Sequence, residues 1–168
     1  MDDKNSITAD FQFLSYKVDT IKFSVENSLS VLQCKDSIDA DRFQLGIRIR
    51  TPQKFTSVND EVEYVGGLDI RVGLLSTKKD GSEIASGEFG IAGIFKKVGM
   101  LKDDLEEHMV KETIPSILLG YLRSTISSTF ANAGFGSVII PLININKLVQ
   151  QSNLTIVTHQ LPPVNSDK

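Results

Sequence analysis

The sequence has a single cysteine, two histidines and no tryptophan among its 168 residues. A lone thiol, Cys34, excludes an internal disulfide and any cysteine-rich metal site, and it suits a reducing, cytoplasmic setting. His108 and His159 are far apart in the chain, and each reads as a solvated or structurally satisfied side chain rather than half of a site. No apolar run reaches the roughly 18 residues a membrane-spanning helix needs. The opening Met1-Asp2-Asp3-Lys4-Asn5-Ser6 is too polar and acidic for a signal peptide. A formal charge of -3 withholds the basic field that a general nucleic-acid binder carries.

Catalytic arrangements are equally scarce. Gly87, Gly90 and Gly93 recur at spacings of three rather than in the GxGxxG order, and no Lys-Ser or Lys-Thr follows them, so they form no phosphate loop. Their role reads as structural, letting a strand bend and a helix pack closely on it. The acids Asp103-Asp104 and Glu106-Glu107 read as a solvated helix face without metal-ligand spacing. The expectation is a protein without catalytic residues, metal or cofactor, and not an enzyme.

What the chain does carry is strand alternation followed by helical periodicity. One domain is expected over residues 1–168, with loose ends at 1–10 and 158–168. The first strand spans Phe11 to Val25. Ile21, Phe23 and Val25 share one parity and Leu14, Tyr16 and Val18 the other, which predicts a bulge near Asp19-Thr20. A long polar connection, residues 26–41, leads to a strand in which Phe43, Leu45, Ile47 and Ile49 alternate with polar residues and Gly46. Leu68, Ile70, Val72 and Leu74 repeat that pattern, and a Lys-Lys-Asp-Gly turn precedes a fourth strand from about Glu83. Such alternation describes an antiparallel sheet with one packed face and one wet face.

Helical periodicity then runs over residues 103–132, with acids in its first turn, Gly134 as its stop and a kink or split at Pro115. A short helix follows, starting at Asn144 and carrying Ile145, Leu148 and Val149 on one face. The fold class is α+β: a four-stranded antiparallel sheet with a long crossover after strand 1, one long helix and one short helix.

Between residues 113 and 146 the only charged residue is Arg123. Apolar side chains cover far more of the long helix than the stripe a surface helix needs. The remaining arc holds Ser116, Gly120, Ser124 and Ser127, small enough for another backbone to approach. One sheet covers one helix face, so a homo-oligomer with this arc and Arg123 at its interface is expected.

With "FGIAGI", then "IPSILLGYLRSTISSTFANAGF", then "PLININKLVQQ", the sequence resembles the SecB family of protein-export chaperones. The likeness covers roughly residues 11–151. It implies a dimer of dimers with the long helices packed between two sheets. It also implies an ATP-independent holdase that binds unfolded client proteins and passes them to the SecA motor of the Sec export pathway. The client groove implied lies between crossover, sheet and short helix. Matching residues are Leu29, Val31 and Leu32 in the crossover, Leu45 and Ile47 on the second strand, and Tyr121, Ile145, Leu148 and Val149 on the helical side. The family's acidic SecA-docking positions fall here on Thr20, Ser24 and near Ser82, with Arg48 and Arg50 on the same face. A SecB-like chaperone dedicated to one client, such as an antitoxin, is a second expectation, and a hot-dog-type thioesterase the alternative from another class.

Overall fold

The computed structural model describes residues 10–25, 43–75, 83–99 and 102–162. Leu29, Val31, Leu32, Cys34, Ser82 and the turn at residues 78–81 lie outside the described residues. Five strands form one sheet: β1 (Phe11–Val25), β2 (Phe43–Thr56), β3 (Val62–Leu75), β4 (Glu83–Lys97) and β5 (Val157–Gln160), in the order β1-β4-β3-β2-β5. The expected four are antiparallel neighbours, whereas β5 adds a fifth strand parallel to β2. The four-strand expectation is corrected by a segment assigned to a loose tail. Four residues with a single polar-apolar alternation carry too weak a pattern to read as a strand.

The bulge expected in β1 is present, with the register against β4 shifting between Val18 and Thr20. A second shift, between Phe13 and Ser15, has no counterpart in the expected pattern. Each inserts one residue, so Phe13, Tyr16, Val18, Ile21 and Phe23 lie opposite Phe95, Gly93, Ile91, Phe89 and Gly87, all on one face of the sheet.

That face carries the helices. α1 (Asp103–His108), a π-helical turn (Met109–Thr113) and α2 (Ile114–Asn132) run on from one another. Pro115 cannot donate to the carbonyl four residues back, and the chain accommodates this by widening the preceding turn instead of breaking the helix. α2 ends in a Schellman motif. Gly134 takes φ +88°, its N–H bonds Ala131 O, Phe135 N–H bonds Phe130 O at 3.1 Å, and the two phenylalanine rings meet at 6.2 Å. α3 (Ile145–Ser152) is capped by Asn144, whose side chain accepts from Lys147 N–H at 2.9 Å.

Glycine decides how closely α2 lies on the sheet. A Cβ at Gly93 would stand 2.7 Å from Leu118, and one at Gly66 would collide with Ile114. Gly90 answers a different need on the opposite face, where a Cβ would collide with the Arg50 guanidinium. The expectation that all three strand glycines serve the helix is therefore corrected. Successive positions alternate faces, so a spacing of three cannot serve one face.

The core is the helix-facing side of β3 and β4 (Leu68, Ile70, Val72, Phe89, Ile91, Phe95) against Ile114, Leu118, Leu122, Ile126 and Phe130. A returning segment, residues 135–145, buries Phe135, Val138, Ile140 and Ile145 in the same core. Arg123 Nη2 donates to Pro141 O at 2.6 Å and ties that segment to α2. Part of the apolar excess of the helix is thus covered within the chain.

Candidate functional site

Leu45 and Ile47 lie on the helix-facing side of β2, opposite the fully buried Val72 and Ile70, yet are themselves only half-buried. They mark the margin where helical cover ends. Further along β2, past a register shift between Arg50 and Gln53, Lys54 reaches α1 and donates to Glu106 Oε1 at 2.6 Å. From Leu45 to Lys54 the margin is about 30 Å long at roughly 3.3 Å per residue.

α3 lies beside α1 and the π turn, and the chain beyond it returns within five residues to pair with Gln53 of β2. Its Ile145 is buried, and Leu148 and Val149 are partly buried against the core. Asn146 Nδ2 donates to Glu112 Oε2 at 2.9 Å, which fastens α3 beside the π turn. A cleft of about 590 Å³ remains between them, with Asp104, His108 and Lys111 on one wall and Val149 and Leu154 on the other. Ile139 and Leu142, on the returning segment, are 79% and 93% exposed, while their neighbours Val138 and Ile140 are buried. Sequence reasoning passed over both. The signal available was an unbroken apolar run, Val138-Ile139-Ile140, in a segment that cannot bury successive side chains on one side.

Tyr121 is not part of this margin. Its ring stacks on Tyr16 at 4.3 Å and meets Phe13 at 5.6 Å, against β1, which β4 and β3 separate from β2. The physical reason is that α2 crosses the sheet diagonally. Ile114 sits over Gly66 of β3 and Leu118 over Gly93 of β4, so the next turn reaches β1. The structure therefore groups Leu45 and Ile47 on β2 and Ile145, Leu148 and Val149 on α3, with Tyr121 across the sheet. Of the expected interface residues, Ser116, Gly120 and Ser124 are exposed, Ser127 is half-buried, and Arg123 is engaged with Pro141.

Two charged networks flank the margin. Glu106 is buried, which corrects its reading as part of a solvated face, while Asp103, Asp104 and Glu107 are exposed. It accepts from Tyr64 Oη at 2.5 Å, from Lys54 and from Lys97. Burial alone would raise its carboxyl, but those three donors outweigh burial and push it from 4.5 down to about 2. On the open face, Arg50 reaches from β2 over Gly67 and Gly90 to β1. Its Nη1 donates to Asp19 Oδ2 at 2.5 Å, and its Nη2 and Nε donate to Asp69 Oδ1. Arg48 donates to the other Asp69 oxygen at 2.7 Å. The Arg50 hydrogen bond holds Asp19 below the usual carboxylate range. Burial would raise Asp69, but Arg50 and Arg48 hold it down as well. Lys22 pairs with Glu88, Arg71 with Glu83 and Lys96 with Glu61. The face is laced with ion pairs of both signs rather than uniformly acidic.

Among the described residues no cluster of three or more His, Cys, Asp or Glu is arranged to hold a metal, and no helix is long and apolar enough to cross a membrane. What fold and site define is an α+β protein with helices on one face of its sheet and an apolar margin beside β2. The chain belongs to the SecB family: the family model, described as preprotein translocase subunit SecB, matches residues 17–155. SecB is a chaperone family rather than an enzyme family, which does not favour the thioesterase alternative. The chain is 38% identical over 61 residues to the protein-export protein SecB of Saccharophagus degradans, and that stretch is 36% of each chain. It thus spans about a third of the length of this curated relative. Among solved structures, it is similar to a SecB-like chaperone of Mycobacterium tuberculosis in complex with a ChAD peptide from the HigA1 antitoxin. There the TM-score is 0.54 and identity 11%, with 80% of this chain and 91% of that one covered. A protein of unknown function from Streptococcus agalactiae matches at a TM-score of 0.41 and 9% identity, over 79% of this chain and 97% of that one.

Proposed function

We propose that this protein is an ATP-independent chaperone that holds unfolded polypeptides in extended form along the β2 margin. Membership of the SecB family supports the chaperone role. The observation that carries the mode of binding is the margin itself, a half-buried apolar strip with Leu45 and Ile47 at one end and Leu148 and Val149 at the other. Extended chains suit such a site, because alternate side chains enter the apolar strip while the backbone stays free to pair. Ile139 and Leu142 add exposed apolar side chains on the returning segment.

The physiological role proposed is to keep preproteins competent for Sec export. The mixed charge of the open face gives a cationic partner little net attraction, so SecA docking through it is expected to be weak. The first test is suppression of aggregation of several unrelated unfolded clients at stoichiometric amounts of chaperone. Protection of many clients supports a general export chaperone. Protection of a single client, such as an antitoxin, would replace that role with a dedicated one, and protection of none would overturn the chaperone reading. The double variant Ile139→Ser/Leu142→Ser should weaken client binding about tenfold without loss of thermal stability, since neither side chain is buried.

A further inference from the structure

β5 lies beyond the stretch that matches the SecB family: the match ends at residue 155 and the strand begins at Val157. It docks on the outer edge of β2 over four parallel pairs, Gln53 with Val157 through Thr56 with Gln160. Leu161 N–H adds one bond to Thr56 O at 2.9 Å. Parallel pairing is the less stable kind per residue, and this ladder is short. Its side chains contribute little, since Val157, Thr158 and Gln160 are all exposed. His159 is the anchor, with its ring stacked on Phe55 at 4.9 Å and 17°. Its Nε2 is buried without a hydrogen-bond partner, which counts against the docked state. Among the described residues, no strand pairs with the outer side of residues 43–50 of β2.

We infer that β5 is a displaceable strap, a segment of the chain itself that occupies the α3 end of the β2 edge in competition with clients. The inference rests on the chaperone reading above. Each N–H and C=O on the outer side of a strand serves one neighbour, so β5 and a client strand cannot hold residues 53–56 together. A client segment short enough to pair with residues 43–50 leaves β5 in place. A longer one has to dislodge it, and its apparent affinity falls by the fraction of molecules in which β5 is docked.

The test pins the strap reversibly in the full-length chain. Gln53→Cys and Val157→Cys, on a Cys34→Ser background, place two thiols at paired positions of adjacent strands, within the span a disulfide accepts. The probes are two synthetic peptides alternating leucine with threonine, one of about eight residues to match residues 43–50 of β2 and one of about twenty. Oxidation should weaken the long peptide about tenfold, with recovery on reduction, and leave the short peptide unchanged. Equal affinity of the long peptide for both forms, with the disulfide verified by mass, would overturn the strap and leave the chaperone reading intact. Peptides and unfolded proteins that bind neither form nor the unmodified chain would remove the chaperone reading and the strap with it. In the unmodified protein, an unfolded client should speed amide exchange in β5 while β2 stays protected. Unchanged protection of β5 with client bound would also overturn the inference.

Discussion

Glu106 gathers the polar chemistry that the core admits. It brings one carboxylate, two ammonium groups and a phenol together at the junction of β2, β3, β4 and α1. Because its folded value, about 2, lies below the ordinary 4.5, its contribution to stability is fully present above pH 4.5 and is lost as pH falls toward 2. The size is roughly 3 kcal/mol, since each pH unit between the two values is worth about 1.36 kcal/mol. Glu106→Gln should therefore cost about 3 kcal/mol at pH 7 and only about 1 kcal/mol at pH 3, read from urea unfolding at both pH values. An equal cost at both would mean that packing, not charge, holds the site. The sequence does not announce this residue. Glu106 sits among look-alike acids, and Lys54 and Lys97 come from strands whose register decides which side chains face the helix. The open face makes the same point through Gly90, whose purpose appears only once Arg50 lies across it.

Elements were more legible than the contacts between them, for a physical reason. Alternation and helical period are local, so β1 to β4, the long helix, the start of the short helix at Asn144 and the Gly134 stop could all be read from neighbouring residues. The bulge at Asp19 showed because apolar parity flips there. The bulge near Leu14 did not, because Leu14 is itself apolar and blends into the pattern of Tyr16 and Val18. β5 and the place of Tyr121 depend on which strand a segment meets in space, and no local pattern records that. The candidate site divides in the same way: Leu45, Ile47, Ile145, Leu148 and Val149 were legible as apolar faces, the unbroken run Val138-Ile139-Ile140 was the one local sign that Ile139 is exposed, and nothing local marked Leu142. Two changes test the element signals. Gly134→Ala forces a side chain into φ +88° and should cost about 1 kcal/mol of global stability. Asn144→Ala removes the acceptor for Lys147 N–H and should cost about 1 kcal/mol locally. The second loss should appear as faster amide exchange confined to α3, and exchange spread over α2 as well would show that the two helices open together.

At the scale of the whole molecule, the unsettled surface is the outward arc of α2. The returning segment and the sheet cover its apolar sides, and Ser116, Gly120 and Ser124 remain exposed. A Cβ placed on Gly120 meets nothing within 4 Å in the single chain. That open space gives the experiment opposite signs for the two cases. If the arc faces water, Gly120→Leu replaces a poor helix former with a good one and should stabilise the protein by roughly 0.5–1 kcal/mol, with no change in mass. If another copy packs on the arc, glycine is there to let two backbones approach, and a leucine wedges them apart. The homo-oligomer expected from the sequence requires the second result. Native mass spectrometry should show a multiple of the 18.5 kDa chain, four copies for a dimer of dimers, that falls to a lower order in Gly120→Leu. An 18.5 kDa species in the unmodified protein, or a variant that gains stability at unchanged mass, would mean that the arc is solvated. The scarcity of charge on the helix would then be explained by the sheet and the returning segment alone.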